Sequence, residues 1–76
     1  MAKNHQTENY SFKALVKKYE SQIATAVATL IIYFDSPVGI GEHPQHIEEM
    51  DKLVGQIASA EDNLKALNKY FNNTQI

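Results

Sequence analysis

The chain has no cysteine, no arginine and no tryptophan, and it has only three glycines and two prolines. Without cysteine there is no disulfide framework, no thiol nucleophile and no zinc-finger ligation. Without arginine the usual reader of phosphate forks and guanine edges is missing. A formal net charge of −2 adds no general attraction to polyanions, so no nucleic-acid partner is expected. Long apolar runs are also lacking. The most apolar stretch, Ile23 to Phe34, is interrupted by Thr25 and Thr29 and is shorter than the roughly 20 residues of a membrane helix. Met1 to Tyr10 is polar, with one Lys and no apolar h-region. The reading is a soluble cytoplasmic protein without a membrane partner.

What is present is helical periodicity. From Phe12 the apolar positions fall at Phe12, Val16, Tyr19, Ile23, Ala26, Leu30 and Tyr33. Steps of four and three alternate, as in a coiled-coil seam. Leu15, Val27 and Phe34 widen the stripe to the width of a core-facing helix. Ser11 or Asn9 suits the N-cap. A second seam runs through Met50, Leu53, Ile57, Ala60, Leu64, Leu67 and Phe71, with Ile47, Val54 and Tyr70 at its flanks or beyond. Glu48 and Glu49 near the start, and Lys65 and Lys69 near the end, suit the helix dipole. Glu48–Lys52 and Glu61–Lys65 have the spacing of favourable pairs.

The segment between the seams, Asp35-Ser36-Pro37-Val38-Gly39-Ile40-Gly41-Glu42-His43-Pro44, carries turn glycines and a proline suited to a helix start. The expected organisation is a flexible N-terminal arm over 1–10 and a helical hairpin over 11–72, followed by a tail over 73–76. Within the hairpin, helices cover about 11–34 and about 44–72, with a loop over about 35–43. The fold class is all-α: a long antiparallel two-helix hairpin. One hairpin is a single layer and leaves each apolar stripe partly open, so assembly into a four-helix or larger bundle is expected. A domain this small has a core worth roughly 3–5 kcal/mol and commonly needs such a staple.

The expected self-association residues are Ile23, Leu30, Met50, Leu53, Ile57, Leu64 and Phe71 of the seams, with Ala24, Ala28 and Ile31 on the outward side of the first helix. Gly55 on the second helix either permits close approach of another helix or is an exposed, tolerated glycine. Val38, Ile40, Glu42 and His43 form a candidate partner loop, or else close the hairpin end.

Chemistry is sparse. His43 and His46, with Glu42, Glu48 and Glu49 nearby, are candidate metal ligands, Glu42 and Glu49 the better placed of the acids, and their spacing matches neither HExxH nor the ExxH pairs of di-iron bundles. Gly39 and Gly41 follow a helix and lack the ending of a phosphate loop. No nucleophile, base and acid are grouped. No cofactor is expected, and the reading is a non-enzymatic structural or protein-interaction module acting as a homo-oligomer. Two alternatives stand beside it: a small regulator that holds an unidentified protein in its apolar groove, and a metal-binding bundle.

The run Pro37-Val38-Gly39-Ile40-Gly41-Glu42-His43-Pro44, with Glu48-Glu49-Met50-Asp51 after it, resembles a group of short uncharacterised helix–loop–helix proteins of T4-like marine bacteriophages, the cyanophages especially. The likeness covers about the C-terminal half to two-thirds of the chain. It implies a phage origin and expression in an infected bacterium. The group has no assigned activity, so no functional residue carries over.

Overall fold

A computed structural model describes residues 5–35 and 45–72. Two helices make up the fold: α1 (Tyr10–Asp35) and α2 (Gln45–Phe71). Each is within a residue or so of the span expected from its seam. They pack side by side over their length, and the protein is an all-α hairpin. The expected loop beyond Asp35, with Val38, Ile40, Glu42 and His43, lies outside the described residues, as does the tail over 73–76.

The choice of N-cap falls on Asn9. Its side-chain Oδ1 accepts the Ser11 N–H at 2.7 Å, and its carbonyl accepts the Lys13 N–H at 3.0 Å. The first turn of α1 thereby gains an acceptor for an otherwise orphaned donor. Glu48 lies in the first turn of α2 and Lys69 in its last turn, both favourable to the dipole. At the far end of α2, Asn68 Nδ2 donates to the Leu64 carbonyl at 3.0 Å, and Asn72 Nδ2 donates to Asn68 Oδ1 at 3.1 Å.

The described part of the expected arm, residues 5–9, touches the end of α2. The Gln6 N–H donates to the Phe71 carbonyl at 2.6 Å, and His5 forms an antiparallel bridge with Asn72. A turn closed by Asn9 N–H to the Gln6 carbonyl, 2.8 Å, leads from there into α1. One of the four unpaired carbonyls at the end of α2 thus finds its donor in the arm. This bond ties the open end of the hairpin together.

The two ion pairs expected from spacing are corrected. Lys52 pairs with Glu49 at 3.4 Å, three residues away, rather than with Glu48. The other described pair joins Lys13 to Glu8 at 3.6 Å. Both are exposed, and such pairs contribute about 0–1 kcal/mol.

The core is thin. Among the described residues only Phe12, Ala26, Leu30 and Ala60 are buried hydrophobics. Val16, Tyr19, Ile23, Tyr33, Met50, Leu53, Ile57, Leu64 and Leu67 are half-buried. Apart from Phe71, which is exposed, the seam positions are buried or half-buried, and among the described residues no third layer covers the line of contact. Two of the four buried residues are alanines, whose size lets the helices approach closely at the middle of the seam.

Candidate interaction surface

A two-helix layer has two broad faces, one on each side of the seam. At about 100° per residue, positions three and four apart on a helix share a stripe. A groove of about 840 Å³ marks one face: Ser21, Gln22 and Thr25 from α1 meet Lys52, Gly55, Gln56, Ser59 and Asn63 from α2. Every lining side chain is polar or absent. At Gly55 an added Cβ would meet nothing within 4 Å, so that backbone is open to solvent.

The stripes on the other side of each seam are of opposite character. On α1 they carry Ala24, Val27, Ile31 and Phe34; on α2 they carry Ile47, Asp51, Val54 and Ala58. All eight are exposed. Ile31 is 54% exposed, Phe34 72%, Ile47 58% and Val54 52%. These large side chains gather in the half of the hairpin nearest the 36–44 connection. Toward the open end the same stripes carry Lys13, Lys17 and Glu20 on α1, with Glu61 and Lys65 on α2. One side is therefore polar where Ser21 to Thr25 meet Lys52 to Asn63, although Leu15, Ile32 and Tyr70, seven residues from Gln22, Thr25 and Asn63, are exposed on the same stripes; the other is largely apolar for half of its length and charged for the rest. Contiguous exposed apolar patches on a small protein commonly mark contact sites.

Of the residues expected to drive self-association, Ile23, Leu30, Met50, Leu53, Ile57 and Leu64 lie in the seam between α1 and α2 of one chain. Ala24, Ala28 and Ile31 are exposed. Phe71 is partly exposed at the open end, with the Tyr70 ring 6.5 Å away. It lines an apolar dent of about 220 Å³ with Phe12, Leu15 and Leu67. Val27, Phe34, Ile47 and Val54 belong to the exposed face as well. The sequence marked them as seam flanks.

The metal candidates divide in two. Glu42 and His43 lie outside the described residues. His46 sets its ring edge-on to Tyr33, with centroids 4.7 Å apart and planes at 75°. Glu49 holds Lys52. His46 thus ties α2 to α1 beside the connection. Among the described residues no three His, Asp or Glu side chains gather as a metal site would require. Among them, too, no helix is long and apolar enough to cross a membrane.

Compared with family models, curated proteins and solved structures, the chain gives no match.

Proposed function

We propose that the chain is a non-enzymatic interaction module that works as a homo-oligomer. The observation that carries this reading is the apolar face of Val27, Ile31, Phe34, Ile47 and Val54. It stands open on a hairpin with four buried hydrophobic residues among those described. A core of this size supplies only roughly 3–5 kcal/mol, and a second copy would cover the apolar face and add to it. The larger groove is lined by hydroxyls, amides, one Lys and one Gly. No carboxylate or imidazole stands among them to serve as a base, which favours a binding role over catalysis. The resemblance of residues 37–51 to short phage proteins gives the reading a setting, the cytoplasm of an infected bacterium.

The test is mass in solution for the wild type and for Ile31→Glu. Ile31 is exposed in the single hairpin, so a charge there leaves the helices intact. The expected result is a wild-type oligomer and a helical Ile31→Glu monomer. If the two proteins share one mass at all concentrations, the apolar face is not where copies meet. A wild-type monomer that gains mass only with another protein would favour the regulator reading.

A further inference from the structure

We draw no further inference here: the strongest candidate, the exposed apolar face of Val27, Ile31, Phe34, Ile47 and Val54 beside the 36–44 connection, already carries the proposed function, and nothing in the structure shows what covers it or in which orientation.

Discussion

The two broad faces of this hairpin are built on the same pair of helices, yet they differ in kind. On one, Ser21, Gln22, Thr25, Gln56, Ser59 and Asn63 line an open groove together with Gly55. On the other, Ile31, Phe34, Ile47 and Val54 expose half or more of their surface. The lesson is that a hairpin of this length is asymmetric across its seam. The seam joins the two helices, while one side of it carries the polar groove and the other the exposed apolar side chains. The asymmetry also runs lengthwise, because the apolar face turns charged beyond Ala24 and Ala58.

Several substitutions break or sharpen this contrast. The largest effect is expected where both faces depend on the same residue. Leu30 is buried in the seam, and Leu30→Ala should cost about 2–5 kcal/mol. That is comparable to the whole core, so helical circular dichroism at room temperature should fall sharply. If Leu30→Ala melted like wild type, the seam would not be the source of stability. Next comes the apolar face alone. Val54→Glu should leave helicity near wild type but abolish the dependence of Tm on protein concentration; Ser59→Glu on the polar face should leave that dependence in place. Equal behaviour of the two variants would erase the distinction between the faces.

Smaller effects concern neither face directly. Asn9→Ala removes the acceptor of the Ser11 N–H and should destabilise by about 1 kcal/mol in thermal melts. No loss would mean that the turn through Gln6 carries the helix start by itself. Gly55→Ala should stabilise by up to about 1 kcal/mol, since an added Cβ has open space around it. A destabilised Gly55→Ala would show that another helix packs against this glycine, and the polar face would then be an interface too.

Much of this was legible in the residues. The alternation of four and three from Phe12 to Tyr33, and from Met50 to Phe71, marks both helices and the line along which they meet. That pattern is local, and apolar spacing writes it directly. Ile31 could be recognised as outward from its angle to the seam. The shared side of Ile31, Phe34, Ile47 and Val54 follows only once the two helices are set antiparallel along their seams: all four lie on the same rotational side of their own seams, and such flanks then fall on one side of the hairpin. The contact of Gln6 with Phe71 was hidden for another reason. It joins backbone atoms far apart in sequence, and no side-chain pattern encodes such a bond. The choice of Glu49 over Glu48 by Lys52 is a matter of rotamers between two spacings of similar worth.

The most direct test of the central claim is absolute mass by light scattering over a wide range of protein concentrations. The account predicts a mass that rises from 8.6 kDa toward twice that value, with helicity present throughout. A helical chain that holds 8.6 kDa at the highest concentration reached would contradict it, because the apolar face would then be stable without a second copy.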